Sequence, residues 1–328
     1  MGLLVDGVWR DDSHDVGRMQ NGRFVRRPSP FRSFVTPDGS AGPTGEGGFP
    51  AAAGRYHLYV SPGCPWAHRT MIYRQLKGLQ SIIDLSLVSW RTDDDGWTFD
   101  TATGSTGDPI HGASKLYEVY LHADPKFTGR VTVPVLWDTE RKTIVSNESS
   151  EIIRMFNSAF NAFTNDRRDF YPEARRGEID ALNELIYTTV NNGVYRAGFA
   201  TSQDAYEEAA RGIFDTLDKL EARLAGQRYL CGAELTEADW RLFPTLIRFD
   251  TVYHGHFKCN LRRIQDYPNL WGYLRDLYQV PGVAETVSFQ FIKQNYYGNQ
   301  VKVNPTRIVP IGPVIDFTAP HGRERLSN

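Results

Sequence analysis

One short stretch limits the folds open to this chain more than any other feature, because a strand, a tight turn, a cysteine and a proline-started helix follow one another without a gap. Tyr56–Val60 has the β-favouring residues of a strand. The Ser-Pro-Gly sequence at residues 61–63 forms a turn, and Pro65 suits the first turn of a helix, where its missing N–H group costs nothing. We expect this helix to run to about Lys77. Cys64 is therefore predicted to lie at the amino end of a helix that directly follows a strand.

The predicted position of Cys64 favours a reactive thiol. Backbone N–H groups at a helix amino terminus hydrogen-bond a thiolate, and the helix dipole lowers the pKa of the thiol. Because the thiolate is the nucleophile at neutral pH, we interpret Cys64 as catalytic rather than as a buried, inert cysteine. Ala67 stands where a dithiol oxidoreductase carries its second cysteine, so an external thiol such as glutathione must resolve any mixed disulfide. Cys231 and Cys259 are expected to be buried and inert.

The segments that follow Cys64 complete an alternating pattern. Residues 82–88 read as a second strand, and a long polar, glycine-rich insertion at about residues 91–112 follows it. Two more strands are predicted over residues 132–137 and 143–145, and a helix over residues 148–156. The order β-α-β, insertion, β-β-α is typical of a thioredoxin-like fold. This part of the chain is therefore predicted to be an α/β domain.

Two further features of this domain bear on ligand binding. Pro134 opens a predicted strand, which proteins tolerate at a sheet edge or through a special turn, so either a cis-proline or an ordinary trans-proline fits. The Ser-Asn-Glu-Ser-Ser sequence at residues 146–150 places hydroxyl and backbone N–H groups at a helix start. Such groups suit an anionic carboxylate, although simple helix capping uses the same residues.

From about residue 171 onward the pattern becomes helical. Apolar residues within 204–224 fall on one face of a helix. Thr236 and Asp239 form a capping-box pattern ahead of a helix over residues 240–249. Pro268 opens a helix to about residue 278, and Pro281 with Gly282 is expected to open a last one. The second domain is therefore predicted to be all-helical.

The first part of the chain is rich in proline and glycine and carries Phe24, Phe31, Phe34 and Phe49. Either a disordered tail or an ordered arm fits this composition, and we favour the arm because a free tail would expose four phenylalanines. The predicted division of the chain is an extended arm, a thioredoxin-like domain, an all-helical domain and a C-terminal tail, at residues 1–54, 55–160, 171–297 and 298–328.

Composition excludes several classes of partner. A net charge of −2 gives no electrostatic reason to expect nucleic acid or an anionic membrane, and the apolar runs are too short to cross a bilayer. The amino-terminal residues lack the pattern of a secretory signal. Three cysteines without repeated spacing and eight scattered histidines argue against a disulfide framework and against a metal site. We therefore expect a metal-free cytoplasmic protein.

Together these segments resemble glutathione transferases. The Cys-Pro-Trp-Ala-His-Arg sequence at residues 64–69 is similar to that of the cysteine-type enzymes, and the fit is closest to the glutathionyl-hydroquinone reductases, or Xi class. The Gly-Trp-Thr-Phe sequence at residues 96–99 also matches this family. Further matching stretches lie at residues 120–125, 129–137, 147–156, 191–200 and 256–259. The resemblance thus spans nearly the whole chain, in the order found in bacterial members.

The resemblance implies a role for individual positions. Cys64 matches the nucleophile, Tyr195 the proposed proton donor, and Pro134 the cis-proline. Tyr253 and Tyr296 match tyrosines that line the quinol site. The positions that match glutathione-binding residues are Trp97, Arg130, Val133, Glu148 and Ser149. From the sequence alone, any one tyrosine is more often a packing residue than an acid.

The resemblance also implies an activity. It is the glutathione-dependent reductive deglutathionylation of glutathionyl-hydroquinones through a mixed disulfide on Cys64, carried out by a homodimer. A general cysteine-type thioltransferase or dehydroascorbate reductase of the omega-like kind is the alternative, and a non-catalytic binding module on the same fold is another. Glutathione conjugation is disfavoured, because a cysteine at this position forms a disulfide with glutathione instead of activating it.

Overall fold

The computed structural model describes residues 2–11, 18–44 and 47–326. In chain order the strands are β1 Leu3–Val5, β2 Val8–Arg10, β3 Met19–Gln20, β4 Arg23–Phe24, β5 Phe34–Thr36, β6 Gly48–Pro50, β7 Tyr56–Val60, β8 Ile83–Leu87, β9 Thr92–Asp93, β10 Gly96–Trp97, β11 Val135–Asp138 and β12 Thr143–Ser146. The α-helices are α1 Pro65–Leu76, α2 Leu116–Ala123, α3 Ser149–Ser158, α4 Arg176–Ile186, α5 Gly193–Gly198, α6 Gln203–Leu224, α7 Glu237–Arg248, α8 His254–His256, α9 Pro268–Tyr278 and α10 Phe289–Asn299. The π-helical segments are Tyr187–Asn191 and Phe249–Tyr253.

Four strands form the central sheet, in the order β12-β11-β7-β8. Strand β7 runs parallel to β8 and antiparallel to β11, and β12 is antiparallel to β11. All five residues of β7 are buried, as expected for a central strand covered on both faces. Helices α1 and α3 pack on each other. The order β-α-β, insertion, β-β-α is that of the predicted thioredoxin-like domain, and the fold class is confirmed.

Helix α1 begins and ends as its sequence predicts. Cys64 is the extended residue before the helix, and Pro65 takes the first helical position, where no N–H group is needed. The helix ends at Leu76, and Gly78 follows in the left-handed region with φ +64°. The predicted helix end was therefore correct to within one residue.

The insertion and the third sheet strand differ from the sequence-based prediction. Strands β9 and β10 form a hairpin within the polar insertion, and helix α2 follows it without having been predicted. Strand β11 begins at Val135 instead of at residue 132. The reason is that Thr132 hydrogen-bonds the Tyr120 hydroxyl of α2, with its N–H donating at 3.2 Å and its C=O accepting at 2.8 Å, and Pro134 has no N–H group to donate to a ladder.

The helical region agrees with the prediction in α6, α7 and α9, and the capping box at Thr236 is present. The last helix was predicted wrongly. It begins at Phe289 rather than at Pro281, because Gly282 lies in the left-handed region with φ +89° and a 3₁₀ turn at Ala284–Thr286 follows.

The described part of the N-terminal segment packs most of its phenylalanines, and the extended arm stays a prediction. Phe24, Phe34 and Phe49 are buried. Residues 31–35 run beside the edge strand β12, since the Ser33 N–H donates to Val145 O at 3.1 Å. Phe31 stacks on Phe127. The arm thereby covers an open strand edge.

The chain forms two compact units. Of the described residues, the first unit contains 2–11, 27–44, 47–168 and 290–295, and the second contains 18–26, 169–289 and 296–326. The predicted boundaries of arm, two domains and tail follow a different division and remain a prediction. Within the described ranges, every helix is too short or too polar to span a membrane.

Candidate active site

Cys64 lies at the amino end of α1 in the first unit, with its side chain half-buried. Its Sγ atom is 3.6 Å from the backbone oxygen of Val133. The Val133-Pro134 peptide bond is cis, as the resemblance implies. The segment before β11 therefore lies against the sulfur at the amino end of α1, a kind of position in which helix N–H groups can stabilise a thiolate.

The turn before Cys64 requires glycine for a steric reason. A Cβ atom on Gly63 would lie 2.6 to 2.9 Å from the side chain of Asn295, which is closer than real Cβ contacts. The Asn295 amide also donates to the backbone oxygen of Trp90 at 2.9 Å. Asn295 thus joins the Cys64 turn to the segment ahead of β9. It was missed in the sequence, because a single asparagine in a helix carries no signal of a contact this distant.

The loop before α3 carries a shielded carboxylate at Glu148. Its Oε1 accepts hydrogen bonds from the N–H and hydroxyl of Ser150 at 3.0 and 2.8 Å, and its Oε2 accepts from the hydroxyl of Ser29 in the arm at 3.0 Å. Burial alone would raise the pKa of Glu148, but these bonds and the charge of Arg69 outweigh it and hold the pKa below its usual value. Glu148 is therefore a carboxylate at neutral pH.

The remaining residues that match glutathione-binding positions also lie in the first unit. Ser149 is the buried first residue of α3. Trp97 is a buried residue of the hairpin strand β10. Arg130 is half-buried and comes three residues before Val133. Among these positions the structure brings Val133 against the sulfur of Cys64. The roles of Ser149, Trp97 and Arg130 stay predictions.

Tyr195, Tyr253 and Tyr296 form a buried cluster in the second unit. The hydroxyl of Tyr296 lies 2.5 Å from that of Tyr195 and 2.8 Å from that of Tyr253, so it is shared by both. The exposed fractions of the three residues are 8%, 0% and 2%. Burial raises the pKa of both Tyr253 and Tyr296 well above the ordinary value, while the charge of Arg248 partly opposes this rise. These two hydroxyls therefore stay protonated at neutral pH and can donate hydrogen bonds.

The local backbone explains how two of these tyrosines are placed. Tyr195 follows the π-helical segment Tyr187–Asn191, and Tyr253 ends the π-helical segment Phe249–Tyr253. Segments of this kind re-aim side chains and occur frequently at functional sites. The side-chain amide of Asn191 donates to Thr245 Oγ1 at 2.8 Å, which joins the first π-helical segment to α7.

The other two cysteines are buried thiols of low reactivity. Burial raises the pKa of Cys231 to about 11 and that of Cys259 to about 12, as expected for inert cysteines. Within the described residues, no three His, Cys, Asp or Glu side chains gather in a way that could hold a metal ion. Cys64 differs from both other cysteines, because it is half-buried and lies at a helix end.

Comparison with known proteins places this geometry in a family. Residues 63–159 match the model of the glutathione S-transferase N-terminal domain, and residues 203–276 match that of the C-terminal domain. The chain is 56% identical over 325 residues to the glutathionyl-hydroquinone reductase YqjG of Escherichia coli, covering 99% of each chain. It is 52% identical to the glutathionyl-hydroquinone reductase PcpF of Sphingobium chlorophenolicum, covering 95% of this chain and 96% of PcpF.

Solved structures agree with these relatives. The glutathione-bound structure of YqjG superimposes with a TM-score of 0.91 at 54% identity and covers 98% of this chain and 99% of that one. The Xi-class glutathione transferase of Natrialba magadii superimposes with a TM-score of 0.90 at 48% identity, over 100% of this chain and 98% of that one. The chain therefore belongs to the glutathionyl-hydroquinone reductases, the Xi class of glutathione transferases.

Proposed function

We propose that this enzyme removes glutathione from glutathionyl-hydroquinones by reduction, with glutathione as co-substrate and Cys64 as nucleophile. The observation that carries the proposal is the position of Cys64, at the amino end of α1 and 3.6 Å from Val133 O. The high identity to YqjG and PcpF, both named glutathionyl-hydroquinone reductases, supports the choice of substrate.

The first step is attack of the Cys64 thiolate on the sulfur that joins glutathione to the aromatic ring. A sulfur–sulfur bond forms, and the bond between sulfur and the ring carbon breaks. The electron pair passes to the ring carbon, which takes a proton from Tyr195. Hydroquinone leaves, and Cys64 remains in a mixed disulfide with glutathione. Tyr253 and Tyr296 assist by hydrogen bonding. The contacts of the Tyr296 hydroxyl with the hydroxyls of Tyr195 and Tyr253 support this role.

The second step restores the thiolate. A second glutathione loses its thiol proton, which replaces the one that Tyr195 gave up, and its sulfur attacks the mixed disulfide; oxidised glutathione leaves, and Cys64 is again a thiolate. Ala67 makes this external thiol necessary, because α1 carries no second cysteine one turn after Cys64. Two glutathione units therefore use the same groove in turn.

Glutathione is held, in this proposal, by the residues of the first unit. The backbone of Val133 before Pro134 pairs with the peptide part of glutathione. The carboxylate of Glu148 receives its ammonium group, and the N-terminus of α3 at Ser149 receives its α-carboxylate. Trp97 and Arg130 complete the groove. The low pKa of Glu148 supports its part, since an ammonium group needs a charged partner.

Replacement of Cys64 by serine tests the proposal. We expect Cys64→Ser to abolish the release of menadiol from glutathionyl-menadiol, measured by chromatography, because a hydroxyl does not form a disulfide. Normal turnover of the variant would overturn the mechanism. A wild-type rate on a small mixed disulfide that clearly exceeds the rate on glutathionyl-menadiol would favour the omega-like thioltransferase instead.

We also propose that the enzyme is a homodimer that acts in the cytoplasm. Buried thiols at Cys231 and Cys259, which take no part in disulfides, suit a reducing compartment. Sedimentation equilibrium tests the homodimer, since the mass should be twice the 37.2 kDa of one chain. A mass of one chain at all concentrations would refute it. Fractionation of cells tests the cytoplasmic location.

A further inference from the structure

Arg26 of the N-terminal arm contacts the tyrosine proposed as proton donor. Its guanidinium carbon lies 5.0 Å from the centre of the Tyr195 ring and 5.5 Å from that of the Phe24 ring. Its Nε atom donates to the side-chain oxygen of Asn192 at 3.0 Å. Arg26, Phe24, Asn192 and Tyr195 all belong to the second unit. The arm therefore places a positive charge against the face of a buried phenol ring.

Asn192 links this contact to the backbone of Tyr195. It is the residue before α5, and its carbonyl oxygen accepts from the N–H groups of Tyr195 at 3.1 Å and Arg196 at 2.9 Å. By binding the Asn192 side chain and the Tyr195 ring together, Arg26 fixes both the start of the helix and the ring that the helix carries. Such double contact limits the orientation of the Tyr195 hydroxyl.

Charge gives the contact a chemical consequence. A phenol that gives up its proton becomes an anion, and a cation on the ring face stabilises that anion when water is excluded. The cluster around Tyr195 contains the uncharged hydroxyls of Tyr253 and Tyr296. Arg248, which is fully buried, supplies positive charge to those two tyrosines, and Arg26 supplies it to Tyr195.

We propose that Arg26 is a positioning residue for the protonation step, which orients Tyr195 and stabilises the charge left on it. This inference rests on the proposed function. It assigns to the arm a part in the release of the aromatic product, in addition to its packing role.

The chain offers a matched control on the same segment. Arg23 pairs with Glu208 at 2.8 Å on the surface of the second unit, with both side chains about half exposed. Arg23 and Arg26 therefore both make contacts within the same unit, but Arg26 also lies over the Tyr195 ring. If Arg26 only anchors the arm, replacement of either arginine should have a similar effect.

The test compares Arg26→Met, Arg26→Lys and Arg23→Met in the full-length enzyme. Release of menadiol from glutathionyl-menadiol and reduction by glutathione of the isolated Cys64 mixed disulfide are measured separately. We expect Arg26→Met to lower the kcat of menadiol release about tenfold, as a half-buried cation–π contact allows. Arg26→Lys should recover most of this loss, because it keeps the charge. Arg23→Met should match wild type, and disulfide reduction should be unchanged in all three variants.

Three results would overturn the inference: equal menadiol release by Arg26→Met and Arg23→Met, equal loss in both half-reactions, or no recovery with lysine. If Arg26→Met folds poorly, Arg26→Gln takes its place, since it keeps a hydrogen-bond donor for Asn192 without the charge. Failure of the proposed function would be distinct, because wild type itself would then release no menadiol.

Discussion

At the scale of single residues, the proposed chemistry is divided between a reactive thiol and a set of protonated hydroxyls. Cys64 was recognisable in the sequence because its neighbours on both sides determine its environment: a strand, a turn and a proline-started helix. The tyrosines were not recognisable in this way. Tyr195, Tyr253 and Tyr296 are brought together by chain segments that lie 43 to 101 residues apart, and no local pattern encodes that. Their selection depended on the family resemblance.

The shared hydroxyl of Tyr296 gives a prediction at this scale. Tyr296→Phe removes the hydroxyl that contacts those of both Tyr195 and Tyr253. These two buried hydroxyls then lack that hydrogen-bond partner. We expect the kcat of menadiol release to fall about 100-fold, as for loss of acid catalysis, and reduction of the Cys64 mixed disulfide to be retained. Rapid-quench measurement of each half-reaction checks this. Equal loss in both half-reactions would assign Tyr296 a purely structural part.

The lowered pKa of Glu148 gives a second prediction. Its pKa lies below the value of 4.5 expected for an unfolded glutamate, so the fold stabilises the charged form. This contribution to the free energy of unfolding is present above pH 4.5 and is lost as the pH falls through the folded-state pKa. Glu148→Gln should therefore cost on the order of 1 kcal/mol at pH 7 and progressively less below pH 4.5. Denaturant unfolding across pH 3 to 7 measures the difference, and a cost independent of pH would contradict this origin.

At the scale of elements, the sequence predicted those whose signals are local. Helices α1 and α9 were predicted to within a residue because each starts with proline, and the capping box located the start of α7 to within three residues. Helix α2 was missed because it has only eight residues and is stabilised by packing against other segments. The hydrogen bonds between the Tyr120 hydroxyl and the backbone of Thr132 are part of that packing. Tertiary contacts of this kind override local preference.

The turn before Cys64 gives a prediction about these tertiary contacts. Gly63→Ala places a methyl group 2.6 Å from Asn295 and should lower the free energy of unfolding by about 2 kcal/mol, with loss of activity. Asn295→Gly removes all the side-chain atoms that this methyl group would meet, the Cβ included, so the double variant Gly63→Ala with Asn295→Gly should lose less stability than the two single variants together. Thermal unfolding of the two single variants and the double variant checks the coupling. Additive effects would show that the two residues do not meet.

At the scale of the whole molecule, three thiols of different accessibility share one chain. Cys64 is half-buried at a helix end, whereas Cys231 and Cys259 are buried with pKa values of about 11 and about 12. We expect iodoacetamide at pH 7 to modify Cys64 alone in the folded enzyme and all three cysteines after unfolding. Peptide mapping by mass spectrometry distinguishes these outcomes. Modification of Cys231 or Cys259 at a rate close to that of Cys64 would contradict the predicted difference in thiol reactivity.

The whole account depends on a covalent intermediate at Cys64, and its mass is the most direct measurement. The enzyme is mixed with one equivalent of glutathionyl-menadiol in the absence of free glutathione, and the intact protein and released menadiol are measured together. We expect one glutathionyl group on the protein, mapped to Cys64, and one equivalent of menadiol. Release of menadiol without a protein adduct, or an adduct on Cys231 or Cys259, would contradict the mechanism.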